Sequence, residues 1–164
     1  MLFRSDQIVT AQLDTGRAES AAVLLERAYP PEKASWEMID KMATLRLHLG
    51  EPAMARELWR KATTPPGPGI QDSRIGTTYL VEGDFDAARR FYQQALQANP
   101  NLFEAHYCLA VLEQDAGRAH PAYEQAGLAL KAAKDDSSRS ASRAIAAGVA
   151  RFARAPNAED VSAE

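Results

Sequence analysis

The residues best able to do chemistry are few: three histidines, His48, His106 and His120, and a single cysteine, Cys108. A metal held by helical side chains needs ligands on one face, three or four residues apart, as in a His-x-x-x-His or His-Glu-x-x-His pair. No histidine stands in such a pair, and His106 and Cys108, two residues apart on one helix, point to different faces. A nucleophilic cysteine needs a neighbour that lowers its pKa, and the sequence around Cys108 supplies none. The Gly-x-Ser-x-Gly elbow that presents a serine nucleophile is missing. Pro66-Gly67-Pro68-Gly69 gathers glycines, but no Lys-Ser or Lys-Thr pair follows and no strand precedes, so it does not read as a phosphate-binding loop. No catalytic residue, metal ligand or cofactor site is expected, and the chain is read as non-enzymatic.

The composition fits that reading. With 164 residues, 46% hydrophobic and 25% charged, the chain is in the range of one ordinary soluble domain rather than a disordered one. A net charge of −3 without a clustered basic surface argues against a nucleic-acid partner, whose phosphates demand one. A single cysteine rules out an intramolecular disulfide, so stability must come from packing. The longest apolar stretches, such as 21–25, are far too short to span a bilayer, and the start of the chain lacks a basic segment followed by an apolar run. A cytoplasmic location is expected, or a periplasmic one if a leader or a larger parent protein is missing. The abrupt start of the first helical segment at Leu2 is what an array cut from a longer protein would show.

What positions the side chains is a repeat. Gly16, Gly50, Gly83 and Gly117 follow one another at intervals of 34, 33 and 34 residues, each in the same local pattern. A period of that length is the signature of stacked helical pairs. A small residue follows each glycine by five positions, Ala21, Ala55, Ala88 and Ala122, and a second lies seven further on, Ala28, Ala62, Ala95 and Ala129. Glycine suits the junction between two helices because it enters the left-handed region without steric cost. Alanine suits the crossing because its small side chain lets helix axes approach. The units run 2–35, 36–68, 69–102 and 103–134. Thr63 to Gly69, rich in proline, cannot be helical and is read as a stiff turn between units rather than a domain linker, since the glycine spacing continues across it.

The third unit, with Ile75-Gly76, Tyr79, Gly83, Ala88, Tyr92, Ala95 and Pro100, resembles a tetratricopeptide repeat. The fourth keeps Leu109-Ala110, Gly117, Ala122 and Ala129 but has Glu113 at the tyrosine position and Ala126 where a large aromatic is usual. The second keeps Ala43, Gly50, Ala55, Trp59 and Ala62 with Arg46 at the tyrosine position, and the first keeps Ile8, Gly16, Ala21, Leu25 and Ala28. The resemblance covers residues 2–134 and implies an all-α, right-handed α-solenoid of antiparallel helix pairs. Beyond it, Asp135 to Ser138 supplies helix-capping residues, and Ala141, Ala144, Ile145, Gly148, Val149 and Phe152 recur on one face. A capping helix over 135–154 is expected to cover the last unit, with 155–164 a disordered tail.

The resemblance also implies a non-catalytic adaptor that binds a protein or peptide in the concave groove lined by the first helix of each pair. In this register the groove residues are Asp6, Thr10 and Leu13 in the first unit, and Glu37, Asp40, Thr44 and Leu47 in the second. Ser73, Thr77 and Leu80 follow in the third, then Glu104, Tyr107 and Val111 in the fourth. The equivalent Leu13, Leu47 and Leu80 form an apolar row, and the carboxylates make the groove mildly acidic. The expected partner segment carries apolar anchors and positive charges, selected by electrostatic complementarity. The alternative is a self-assembling scaffold, a homo-oligomer stacked through its end units or the C-terminal helix.

Overall fold

The computed structural model describes residues 18–153, and among these every regular element is an α-helix. They are α1 (Ala18–Ala28), α2 (Trp36–His48), α3 (Pro52–Lys61), α4 (Ile70–Glu82), α5 (Phe85–Ala98), α6 (Phe103–Asp115), α7 (Ala119–Ala132) and α8 (Asp136–Ala153). The expectations for the first helix of the first unit and for the tail lie outside the described residues.

Several of these bounds have a local cause. Ser35 Oγ accepts from the Met38 N–H at the start of α2, Pro52 opens α3 where its missing donor is harmless, and Asp84 Oδ1 accepts from the Ala87 N–H at 3.0 Å to start α5. Asp135 Oδ1 accepts from the Ser138 N–H at 2.8 Å at the head of α8. Three helices stop in the same way. Gly50, Gly83 and Gly117 have φ of 76°, 79° and 73°, and each donates its N–H to the carbonyl three residues back. The residue after each, Glu51, Asp84 or Arg118, donates to the carbonyl five back, on Arg46, Tyr79 or Glu113. This paired closure satisfies the orphan carbonyls of the helix end and requires a left-handed residue at its centre.

The chain divides into two compact units, one up to Ala88 and one from Arg89, with α5 carrying the boundary. In the first, α1 packs on α2, α2 on α3 and α3 on α4. Ile39, Met42, Ala43, Ala55 and Trp59 are at most 1% exposed there. The proline-rich turn does not interrupt this packing: Gln71 Nε2 donates to the carbonyls of Trp59 (2.6 Å) and Ala62 (3.3 Å), closing the open end of α3 from the first turn of α4. In the second unit α6 packs on α7, and α8 on both. Ala110, Ala122, Ala126, Ile145 and Val149 form its core, flanked by Tyr107, Val111, Ala119 and Ala146.

The crossing alanines are buried at seven of the eight positions; Ala28, the last residue of α1, is exposed. The inner face of α8 also differs from the expected one. Ala144 is exposed, and Ser142 is fully buried beside Ile145 and Val149. A buried hydroxyl is tolerable when hydrogen-bonded, and Ser142 Oγ donates to the Ser138 carbonyl at 3.0 Å.

Candidate functional site

In the first unit the first-helix face is built by α2 and α4. Asp40 and Arg74 join the two helices: Arg74 Nε donates to Asp40 Oδ1 at 3.0 Å, and the same oxygen accepts from Trp59 Nε1 at 2.9 Å. Alongside lie Thr44 and Leu47 on α2 and Thr77 and Leu80 on α4, all half-buried. Two threonines and two leucines at matching repeat positions thus line one face.

The acidic character expected of this face is reduced in two places. Asp40 is neutralised by Arg74, and Glu37, with 79% of its side chain exposed, pairs with Lys41 at 3.3 Å. Ser73 does not belong to the exposed face: it is only 5% exposed and so lies inside the helix packing. In the second unit Glu104 is exposed on α6, while Tyr107 and Val111 are half-buried against the core that α8 completes. Tyr107 also stacks on Phe103, with ring centroids 5.7 Å apart. Asp6, Thr10 and Leu13 lie outside the described residues.

A second set of clefts opens between second helices. In the first unit a cleft of about 490 Å³ lies between α1 and α3, lined by Pro31, Met54, Leu58 and Lys61 among others. In the second unit one of about 620 Å³ lies between α5 and α7 over α6. Gln93, Leu96 and Gln97 form one wall, Pro121 and Gln125 the other, and Leu109 and Glu113 the floor. Sequence reasoning missed these residues because it assigned the binding face to first helices.

The two residues standing where the repeat pattern has tyrosine are ion-pair centres. Arg46, 5% exposed, forms a bidentate pair with Glu26 of α1 (2.7 and 2.9 Å) and a further bond to Glu51 (2.7 Å). Glu26 above all keeps the guanidinium charged, against the opposing effect of burial. Glu113 accepts from Arg89 Nε of α5 at 3.0 Å and from Arg118 Nε. Arg118 first, then Arg89, holds its carboxyl below the usual glutamate range, against burial. At the third such position, Tyr79, Arg56 of α3 lies over the ring at 3.8 Å and also reaches Thr78 and Glu82. Burial alone pushes up the Asp72 carboxyl at the head of α4.

The chemically versatile side chains do not converge. His48 is exposed on α2, and His120 pairs with Glu124 at 3.3 Å on the outside of α7. His106 is buried between the Pro100 carbonyl (2.9 Å, at Nε2) and the Gln125 carboxamide (2.8 Å, at Nδ1). Cys108 is half-buried on α6. Among the described residues no three His, Cys, Asp or Glu side chains could hold a metal ion, and no helix is long and apolar enough to cross a membrane.

Antiparallel helix pairs, closed by left-handed glycines and crossed at alanines, define a helical-repeat protein. Residues 73–102 match the family model described as tetratricopeptide repeat, and the fold is that of proteins built from this repeat. Among solved structures the chain is similar to PilW, described as a widely conserved type IV pilus biogenesis factor. The identity is 22%, over 93% of this chain and 71% of that one, with a TM-score of 0.65. It is also similar to a MamA structure at 14% identity, over 87% of this chain and 92% of that one, with a TM-score of 0.59. A MamA fragment from Desulfovibrio magneticus RS-1 gives 16% identity over 93% and 95% of the two chains, with a TM-score of 0.59. Comparison with curated proteins gave no match.

Proposed function

We propose that the chain is a non-catalytic protein-interaction module of four repeats and a closing helix, α8, that binds a segment of a partner protein on the face made by α2 and α4. The observation that carries this reading is the Asp40–Arg74 bond, which holds α2 and α4 side by side and sets Thr44, Leu47, Thr77 and Leu80 at matching positions. A fixed apolar and hydroxyl surface of this kind recognises side chains at regular spacing without ordering itself on binding, which keeps the entropic cost of association low. Exposed Glu37 favours a segment that also carries positive charge. The likeness to PilW, a biogenesis factor, supports a role in assembling other proteins.

The test is a pull-down from a lysate with the full chain, with captured proteins identified by mass spectrometry, then repeated with Leu80→Arg and Thr44→Arg in low and high salt. Capture of a partner that both variants lose, and that high salt weakens, is the expected result. A partner held equally by parent and variants would overturn the assignment of the face while leaving the fold intact.

A further inference from the structure

We propose that the cleft between α5 and α7 is a separate docking site that takes an extended, uncharged stretch of a partner polypeptide by its backbone. This goes beyond the first-helix reading, because the cleft is lined by second helices and floored by the inner side of α6. Its volume, about 620 Å³, is that of ordinary ligand clefts.

The lining selects the ligand. Three of its polar side chains are carboxamides: Gln93 and Gln97 on one wall and Gln125 on the other. A carboxamide offers both a donor and an acceptor and carries no charge, so it pairs equally with the N–H and the C=O of a peptide backbone. The spacing fits as well. Gln93 and Gln97, one helical turn apart, are separated by about 6 Å of helix rise. Backbone groups on one edge of an extended chain recur every second residue, about 6.6–6.8 Å. One glutamine thus meets each successive pair of residues on that edge, and Gln125 faces the other. Gln125 is held in place from behind by buried His106, which is itself anchored on the Pro100 carbonyl. Leu109, 4% exposed, and half-buried Leu96 provide an apolar floor for a single side chain of the segment. The remaining charged group of the lining, Glu113, is already engaged by Arg89 and Arg118, so the site does not ask for a basic anchor.

The experiment pans a displayed library of random twelve-residue peptides on the full chain and measures the enriched peptides in solution. The double variant Gln93→Ala/Gln97→Ala changes two exposed side chains, and its melting should match the parent's. Enriched peptides should bind it at least about tenfold more weakly, the loss of two hydrogen-bonded contacts. Peptides N-methylated at alternate residues should lose affinity similarly, whereas high salt and Leu80→Arg should change little. The proposal is overturned if no peptide is enriched, if the double variant binds as tightly as the parent, or if N-methylation has no effect. Peptides that respond to Leu80→Arg and salt but not to the glutamines would also overturn it, while upholding the first-helix face.

Discussion

Arg46 and Glu113 occupy the same place in two helices, four residues before a left-handed glycine, and carry inverted versions of one arrangement. The arginine is held by two glutamates, Glu26 from the preceding helix and Glu51 just past the glycine. The glutamate is held by two arginines, Arg89 from the preceding helix and Arg118 just past the glycine. Tyr79 fills the place between them in sequence, under the guanidinium of Arg56. Each is a clasp between the second helix of one pair and the first helix of the next, made with different chemistry.

Charge at Glu113 should therefore be correctable by its partners. Glu113→Arg puts a third guanidinium beside two others and should cost about 3 kcal/mol or more, since a nearly buried charge is left against like charges. Combining it with Arg89→Glu and Arg118→Glu recreates the Arg46 arrangement and should recover most of the loss. Denaturant melts of the single and triple variants measure this; a triple variant no more stable than Glu113→Arg would show that the clasp does not act as a unit.

The same residue sets an acid sensitivity. The folded-state pKa of Glu113 is depressed by Arg118 and Arg89, so its contribution is complete above the unfolded-state value and is lost as pH falls through the folded one. Glu113→Gln should cost about 1–2 kcal/mol near neutrality, part of it offset because Arg118 is half-exposed and stays hydrated. The gap between parent and variant should close as pH falls below the ordinary glutamate range. A gap of constant size down that titration would show that the ion pair contributes nothing.

Two glycines separate backbone strain from crowding. A Cβ added at Gly83 or at Gly127 meets nothing within 4 Å, but Gly83 has φ +79° and Gly127 lies within α7. Gly83→Ala should destabilise by about 1 kcal/mol, because an L-residue resists that region. Gly127→Ala should stabilise by about 0.5–1 kcal/mol through helix propensity. Thermal melts that move in the same direction for both would contradict the turn geometry.

The glycine period made the helix ends legible, because a left-handed residue is demanded by the closure itself, and the alanine period made the crossings legible. The partners of Arg46 and Glu113 were not, because Glu26 and Arg89 lie 20 and 24 residues away and their role shows only once the helices are packed. Read singly, both residues stood only at a position where the repeat pattern has tyrosine. Ser73 escaped for a related reason: its register position is that of a groove residue, while its depth depends on how closely the neighbouring helices lie. Ala28 followed the period but stands at the end of α1 and is exposed.

That exposure gives a direct comparison. Ala122 is 0% exposed in the α6–α8 core, and Ala122→Leu should overpack it at a cost of about 1–3 kcal/mol. Ala28→Leu should lie within about 0.5 kcal/mol of the parent, as surface changes do. Equal losses in urea melts would mean that Ala28 is buried after all.

Asp40 joins structure to the proposed binding face, and its variants separate the two. Its Oδ1 accepts from both Trp59 Nε1 and Arg74 Nε, so Asp40→Lys removes two bonds and sets a cation beside Arg74. A loss of about 3 kcal/mol or more is expected. Asp40→Asn keeps an acceptor for the indole and should cost only about 1 kcal/mol. Glu37→Lys, on an exposed surface pair, should leave melting nearly unchanged while reversing the charge offered to a partner. Melts followed by tryptophan fluorescence should rank the three in that order. If Asp40→Lys melts with the parent, the α2–α4 bond does not hold the face together.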